Sequence, residues 1–195
     1  MASEAMLSDE QLIAFDEIGY FIMQNFLSTV EVDSIRREIT NIVERYPDVP
    51  KELVQFEPTQ DSTNVDGFEL RVRKLFRMAL HNKFFRDLAY HHKMVGVAVE
   101  LLGPDVTLFQ SMLLMKPPRV GTQKVWHQDN AYFRLEPNEI FGFWIALDEA
   151  TIENGCMHLI PGSHKNGIGK HGGIANDYGL TTAPNRMDTV ACSMN

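Results

Sequence analysis

Apolar residues in the first quarter of the chain recur at the spacing of an amphipathic helix. After Ser28 they lie at Val32, Ile35, Ile39, Ile42 and Val43, each three or four positions after an earlier apolar residue of the set once Val32 has begun it. Ser28 and Glu31 have the spacing of a capping box, which satisfies the free N–H groups at the start of a helix. Pro47 cannot continue a helix. The pattern therefore predicts a helix that begins after Ser28, ends before Pro47 and packs one face against a core.

Two further helical regions are indicated by caps and by glycine or proline stops. Ser8 and Gln11 form a second capping-box pair, and Gly19 ends the short apolar pattern that follows. The segment 82–102 is also rich in helix formers, with a break that indicates two pieces, and Gly103-Pro104 ends it. The N-terminal half is therefore predicted to be mainly helical.

Strand-like apolar segments bounded by turn residues are concentrated in the second half of the chain. The predicted strands are Tyr20–Phe26, Val106–Met115, Val125–Phe133, Ile140–Leu147 and Cys156–Ile160. Helices first and strands later indicate an α+β protein, with helices on one face of an antiparallel sheet or barrel. We predict a single domain, 1–195, in which a mainly helical region spans 1–104, a β core 105–162 and a loop-rich tail 163–195.

Composition narrows the possible partners. The chain has 195 residues, of which 44% are hydrophobic and 23% charged, with a net charge of −8. This acidity disfavours nucleic acid and anionic membranes as partners, and no apolar stretch is long enough to cross a bilayer. Two cysteines, Cys156 and Cys192, are too few for a disulfide framework. A cytoplasmic protein that acts on a small molecule is the expectation, with its oligomeric state open.

The triplet His127-Gln128-Asp129 is the main candidate for chemistry. If the segment is a strand, side chains two positions apart point to the same face, so His127 and Asp129 would converge. Non-haem Fe(II) in oxygen-activating proteins is held by two histidines and one carboxylate, with the remaining positions open. An H-x-D on a strand supplies two of these three ligands.

The triplet lies between characteristic segments. Gln110–Pro117 stands before it, and Gly142–Asp148, Glu153–Met157 and Ile160–His164 follow it. Together these segments resemble the phytanoyl-CoA dioxygenase family, in which an H-Q-D pair is followed by a G-x-W-[IV]-A strand and by an E-N-G and P-G-S-H turn. A looser match lies at Asp16–Tyr20. The resemblance is dense from Gln110 to His164 and extends loosely over the earlier portion of the chain.

The resemblance implies a double-stranded β-helix, a jelly-roll or cupin-like barrel, with N-terminal helices packed on one face. It implies an Fe(II)- and 2-oxoglutarate-dependent dioxygenase that uses dioxygen to hydroxylate a small organic or acyl substrate. His127 and Asp129 match the metal ligands and catalytic residues. The positions matching the family's cofactor-binding residues are Lys74, Met112, His127, Gln128, Asp129 and Trp144.

The match departs from the family beyond the P-G-S-H turn. The family has a distal iron-binding histidine and an arginine that binds 2-oxoglutarate, and the expectation here is that these residues and the late strands are missing. His171 and Arg186 are the later histidine and arginine, and their surroundings do not resemble the family's late strand. The alternative is a truncated or non-catalytic member that acts as a binding protein. A further alternative is a cupin-like Zn²⁺ or Ni²⁺ site formed by His127, Asp129 and His171.

Simpler interpretations exist for several of these residues. Lys74 stands in a basic run that could be a solvated face, and Met112 and Trp144 could be ordinary core residues. His91 and His92 have no acidic neighbour in the sequence and are predicted to lie at the surface.

Overall fold

The computed structural model describes residues 5–45, 49–58, 71–174, 177–185, 187 and 189–193. These residues form a mixture of helices and short strands in two compact units. Unit 1 comprises the described residues of Met1–Met6 and Met23–Thr122, and unit 2 those of Leu7–Ile22 and Gln123–Asn195. The expectation of one domain stays a prediction.

The described residues contain six α-helices. They are α1 Asp9–Ile18, α2 Thr29–Glu44, α3 Met78–His81, α4 Lys83–Ala89, α5 His92–Leu102 and α6 Asn130–Phe133. The predicted helices after Ser8 and Ser28 are confirmed, as is the helical pair within 82–102 that ends at Gly103. Every helix in the described residues is too short or too polar to span a bilayer.

Both predicted capping boxes are present. In α1 the Gln11 N–H donates to the Ser8 hydroxyl at 3.3 Å, and the Ser8 N–H donates to the Gln11 side chain at 2.9 Å. In α2 the Glu31 N–H donates to the Ser28 hydroxyl at 3.3 Å, and the Ser28 N–H donates to the Glu31 carboxylate at 2.7 Å. These bonds satisfy N–H groups that have no partner inside a helix, so the helices begin where the sequence predicts.

Glu31 also pairs with His91, which directly precedes α5. His91 Nε2 lies 2.9 Å from Glu31 Oε1, and 15% of the His91 side chain is exposed. The prediction that His91 is a surface residue is wrong, because its acidic partner lies 60 residues earlier in the sequence. The Ser28 hydroxyl, together with the Ser28 N–H and His91, lowers the pKa of Glu31 to about 2.

Replacing Glu31 with glutamine is expected to lower the free energy of unfolding at neutral pH. The pKa of the folded-state carboxyl lies below its ordinary value of 4.5, so its charge stabilises the folded protein above that pH. This contribution is lost as the pH falls from about 4.5 towards about 2. Urea unfolding at a series of pH values should therefore show the wild-type and Glu31→Gln curves converging in acid.

Glu44→Gln is a control for this pH series, because Glu44 ends the same helix. A negative charge at a helix C-terminus faces the negative end of the helix dipole, so its removal should not lower stability. If Glu31→Gln lowered the free energy of unfolding by the same amount at every pH, the role assigned to the Glu31 charge would be contradicted.

A three-stranded antiparallel sheet lies in unit 1. Its strand order is β1 (Val54–Phe56), β2 (Val72–Phe76) and β3 (Met112–Leu114). Val72 and Leu75 of β2 are almost completely buried. Buried apolar residues from α2, α3, α4 and α5 form most of the remaining core of this unit: Ile35, Ile42, Val43, Met78, Ala79, Phe85, Met94 and Val97. Burial of these side chains, not helix propensity alone, stabilises the helices.

Unit 2 contains two strand pairs, both antiparallel. They join β4 (His158–Leu159) with β7 (Val190–Ala191), and β5 (His171–Ile174) with β6 (Asp177–Leu180). The stretch after Gly162, expected to be loop-rich, thus contributes three strands. Among the described residues no sheet closes into a barrel, so the double-stranded β-helix stays a prediction.

Several strand predictions are wrong. The segments 20–26, 125–133 and 140–147 contain no strand, and the predicted strands at 106–115 and 156–160 shorten to β3 and β4. A strand requires a neighbouring backbone as well as a half-buried surface, and alternating apolar residues report only the second condition.

The P-G-S-H turn, residues Pro161–His164, binds the C-terminal end of α1 within unit 2. Gly19 caps α1 in the left-handed conformation with φ +88°, and the Gly162 N–H donates to the Ile18 carbonyl at 2.8 Å. His164 Nε2 donates to the Asp16 carbonyl at 2.9 Å. The ring also lies against Gly19, where a Cβ would be 2.5 Å from Nδ1. His164 therefore has a structural role at a helix end.

Candidate metal centre

His127 and Asp129 lie where unpaired chain turns into a short helix. Asp129 has helical dihedral angles, φ −59° and ψ −41°, immediately before α6. Asn130 closes this turn, because its Oδ1 accepts from the Leu135 N–H at 2.8 Å and its Nδ2 donates to the Leu135 carbonyl at 3.1 Å. Such side-chain bonds to the backbone compete with a strand. Strand alternation is therefore the wrong reason for the two ligands to share a face.

The two side chains nevertheless converge. Nε2 of His127 lies 3.5 Å from Oδ1 of Asp129, with 29% and 67% of the two side chains exposed. Nδ1 of His127 lies 2.8 Å from the Val125 carbonyl. A carbonyl oxygen can only accept, so the neutral ring carries its proton on Nδ1 and directs the Nε2 lone pair towards the carboxylate.

This arrangement fits a metal cation. Metal-binding histidines commonly donate their second ring N–H to a carbonyl or carboxylate, as His127 does. Two ligand bonds of about 2 Å each span up to about 4 Å, so donor atoms 3.5 Å apart can reach one cation. No group of three or more His, Cys, Asp or Glu among the described residues is arranged to hold a metal. The pair alone therefore provides two ligands.

His171 lies close to the pair but binds backbone groups. Its Nε2 accepts the Gln128 N–H at 3.0 Å, and its Nδ1 donates to the Gly169 carbonyl at 2.8 Å. Both ring nitrogens are used in this way. The structure therefore does not support the alternative Zn²⁺ or Ni²⁺ site formed by His127, Asp129 and His171.

The Gln128 side chain binds the same stretch of chain as His171. Its Nε2 donates to the Gly167 carbonyl at 2.9 Å, and its Oε1 accepts the Gly169 N–H at 2.7 Å. Gln128 is predicted to contact the co-substrate, and that contact stays a prediction. Both polar ends of the side chain are already bonded to protein.

An aromatic and charged cluster beside His127 is absent from the sequence predictions. The Tyr132 ring meets the His127 ring edge to face at 5.6 Å, and Tyr178 lies 5.2 Å from Tyr132. Lys124 Nζ is 2.5 Å from Asp177 and 3.1 Å from the Tyr132 hydroxyl. Lys124 and Asp177 are 53 residues apart, so no local pattern reveals them. Only the position of Tyr132 just after the H-x-D was a usable sequence signal.

Lys74 and Met112 lie on one face of the three-stranded sheet in unit 1. Met112 is the cross-strand partner of Phe76, and Lys74 shares a face with Phe76 because it is two positions away on β2. Lys74 Nζ lies over the Phe76 ring at 5.7 Å, and Lys74 and Met112 are both half-buried. The structure therefore does not place Lys74 on a fully solvated face, and its contact with 2-oxoglutarate stays a prediction.

The family model of phytanoyl-CoA dioxygenase (PhyH) matches residues 15–194. This chain belongs to the phytanoyl-CoA dioxygenase family. The match covers nearly all of the chain and includes the His127–Asp129 pair. Family membership thus confirms the resemblance from which the site was predicted.

Relatives from plants and animals align along most of the chain. A phytanoyl-CoA dioxygenase of Arabidopsis thaliana is 27% identical over 208 residues, which cover 93% of this chain and 73% of the relative. Phytanoyl-CoA dioxygenase 1 of Oryza sativa subsp. japonica is 30% identical over 194 residues, which cover 86% of this chain and 69% of the relative. Phytanoyl-CoA dioxygenase domain-containing protein 1 of Bos taurus is 30% identical over 201 residues, which cover 85% of this chain and 68% of the relative.

Solved structures of similar proteins establish the fold. EctD from S. alaskensis, in a structure with bound Fe, is similar with a TM-score of 0.73 and 22% identity, covering 100% of this chain and 67% of EctD. EvdO2 from Micromonospora carbonacea var. aurantiaca, complexed with 2-oxoglutarate, has a TM-score of 0.63 and 20% identity, covering 96% and 77%. The chain therefore has the fold of EctD.

The described residues assign no role to Trp144 or Arg186. Trp144 is half-buried in the segment 140–147, which forms no strand, and its contact with 2-oxoglutarate stays a prediction. Arg186 lies outside the described residues.

A cavity of about 270 Å³ borders the segment that carries the pair. Its lining comes from α6, from the residues just after α6 and from the region of β5 and β6: Asn130, Ala131, Arg134, Leu135, Glu136, Ile168, Gly169, His171 and Tyr178. Asn130 directly follows Asp129, and His171 binds the Gln128 N–H. The cavity is large enough for a small organic group and has one basic and one acidic side chain in its wall.

Proposed function

We propose that this chain is an Fe(II)- and 2-oxoglutarate-dependent dioxygenase that hydroxylates a small organic or acyl substrate. The observation that carries the proposal is the convergent His127–Asp129 pair in a member of the phytanoyl-CoA dioxygenase family. Structures of EctD with bound Fe and with 2-oxoglutarate and 5-hydroxyectoine support it, as does EvdO2 with 2-oxoglutarate.

In the proposed reaction the bound iron and co-substrates supply the oxidation, and the residues of the chain bind and orient the iron. Fe(II) with 2-oxoglutarate and dioxygen supplies the oxidation, which places one oxygen atom in a substrate hydroxyl and the other in succinate, with release of carbon dioxide. His127 Nε2 and the Asp129 carboxylate would hold the iron. The Val125 carbonyl accepts from Nδ1–H of His127, which leaves the Nε2 lone pair of the neutral ring for the cation. The Tyr132 ring packs against the same ring, nearly perpendicular to it.

The proposal also includes the finer expectations of the sequence. A double-stranded β-helix is supported by the fold likeness to EctD. Contacts of Lys74, Met112 and Trp144 with 2-oxoglutarate rest on the sequence resemblance. A cytoplasmic protein with a small-molecule substrate is consistent with the net charge of −8.

Anaerobic titration of the purified protein with Fe(II) and 2-oxoglutarate tests the proposed function. We expect 2-oxoglutarate to bind only when Fe(II) is present, with a visible charge-transfer absorption as the readout. Admission of dioxygen should then convert 2-oxoglutarate to succinate, and Mg²⁺ in place of Fe(II) should give neither signal. Binding of 2-oxoglutarate that does not depend on Fe(II), or no binding at all, would contradict the proposal.

A further inference from the structure

We propose that Gln128 and His171 are positioning residues for the metal-binding pair. They act through the Gln128 network, which we define as the hydrogen bonds of Gln128 to Gly167, Gly169 and His171. The inference rests on the proposed function, because it concerns the affinity of His127 and Asp129 for Fe(II).

Gln128 is bonded at every donor and acceptor group it has. The N–H donates to His171 Nε2 at 3.0 Å, and the side chain donates to the Gly167 carbonyl at 2.9 Å and accepts the Gly169 N–H at 2.7 Å. The Gln128 carbonyl accepts the Ala131 N–H at 3.0 Å. A carbonyl only accepts and an N–H only donates, so these partners determine the orientation of the amide. The residue between the two ligands is thereby held on both its backbone and its side chain.

His171 is itself held in the orientation that the network requires. Its Nδ1–H donates to the Gly169 carbonyl at 2.8 Å, which leaves the Nε2 lone pair for Gln128. The ring stacks on Tyr178, with centroids 5.8 Å apart and planes 28° apart. Gly169 lies close to Leu180, since a Cβ there would be 2.7 Å from Leu180 Cδ2 and the leucine side chain would have to shift. The segment 167–171 therefore presents a preformed set of partners to Gln128.

The network replaces the support that a strand ladder would give. Residues 125–128 form no strand, and the Leu180 N–H also holds this segment by donating to the Trp126 carbonyl at 2.7 Å. Leu180 belongs to β6 and is the register partner of His171 in β5. The β5–β6 pair thus holds both Trp126 and Gln128. Because the ligands flank Gln128 in the chain, a displaced Gln128 backbone would change the 3.5 Å separation of their donor atoms.

His171→Phe is expected to weaken Fe(II) binding by about tenfold or more, the range observed when outer hydrogen-bond partners of metal ligands are lost. Phenylalanine keeps a ring against Tyr178 but has no acceptor for the Gln128 N–H. His171→Gln has an acceptor at a similar reach and should recover some of the affinity. Fe(II) affinity equal to that of the wild type in His171→Phe would overturn the inference.

Gln128→Ala separates positioning from direct contact with the co-substrate. If Gln128 positions the ligands, Gln128→Ala weakens Fe(II) binding, and its effect is not additive with that of His171→Phe because both remove one network. If Gln128 instead contacts 2-oxoglutarate, Gln128→Ala leaves Fe(II) affinity unchanged and weakens only 2-oxoglutarate binding at saturating Fe(II). The second outcome would overturn the inference.

His164→Phe is the matched control, since it makes the same change at a histidine of unit 2 that binds the end of α1. It should lower stability while leaving Fe(II) affinity unchanged.

Hydrogen exchange at the Gln128 amide gives a readout that needs no metal. The amide should be protected in the wild type and lose its protection in His171→Phe but not in His164→Phe. If the wild type binds no Fe(II), the proposed function fails, whereas the exchange result still supports or refutes the network. Equal exchange in wild type and His171→Phe would refute it.

Discussion

Replacing His127 with alanine is expected to abolish measurable Fe(II) binding and, with it, Fe(II)-dependent binding of 2-oxoglutarate. The substitution removes the Nε2 donor that lies 3.5 Å from Asp129 Oδ1 and leaves a carboxylate as the remaining ligand of the pair. The loss should exceed the roughly 100-fold upper range seen when only an outer partner of a ligand is removed. Isothermal titration with Fe(II) under anaerobic conditions measures it.

His158→Ala is the matched control for this experiment. His158 also directs Nδ1 to the carbonyl two residues earlier, at 3.1 Å from Cys156, as His127 does to Val125. No carboxylate stands two residues after His158, so its removal should leave Fe(II) affinity intact. Asp129→Asn keeps the shape of the second ligand without its charge and should also weaken binding strongly. Equal Fe(II) affinity in His127→Ala and the wild type would exclude the proposed centre.

Gly19→Ala is expected to cost about 2–3 kcal/mol of unfolding free energy. The left-handed backbone, with φ +88°, costs a non-glycine residue about 1–2 kcal/mol. The new Cβ would also be 2.5 Å from Nδ1 of the exposed His164 ring, and displacing this ring gives up a hydrogen bond worth about 0.5–1.5 kcal/mol. The ring could move aside only by giving up its bond to the Asp16 carbonyl. Urea unfolding measures the total.

Gly162→Ala measures the cost of a left-handed backbone without the clash that Gly19→Ala makes with His164. Gly162 is also left-handed, with φ +73°, but a Cβ there would meet only the Glu17 carbonyl at an ordinary 3.7 Å. Its cost should therefore stay at about 1–2 kcal/mol. In a His164→Ala background the cost of Gly19→Ala should fall to the same value, because the clashing ring is gone. Equal costs of Gly19→Ala in both backgrounds would show that His164 does not pack as described.

Local signals predicted the helices well. Ser8 with Gln11 and Ser28 with Glu31 located the starts of α1 and α2, because a capping box is formed by residues three apart in sequence. The strands were predicted poorly, since pairing depends on which distant segment lies alongside. The segment 140–147 has the apolar composition of a strand but no strand pairing.

The candidate centre was partly predictable for a similar reason. His127 and Asp129 are neighbours in sequence and converge as predicted, although a turn closed by Asn130, not strand alternation, brings them together. The partners His171 and Tyr178 come from a Gly-rich stretch that was expected to be loop. The pairing of Glu31 with His91 spans 60 residues, and such pairs leave no trace in a single sequence.

The contact between His164 and the end of α1 has a consequence for synthesis of the chain. Asp16 leaves the ribosome 148 residues before the histidine that binds its carbonyl. At about 5–20 residues per second, roughly 7–30 s pass before that partner exists. Unit 2 consists of an early and a late piece of the polypeptide, with almost all of unit 1 translated between them. Unit 1 can therefore begin to fold during translation, whereas unit 2, which carries the candidate centre, cannot be assembled until Gln123 and the residues after it have been made.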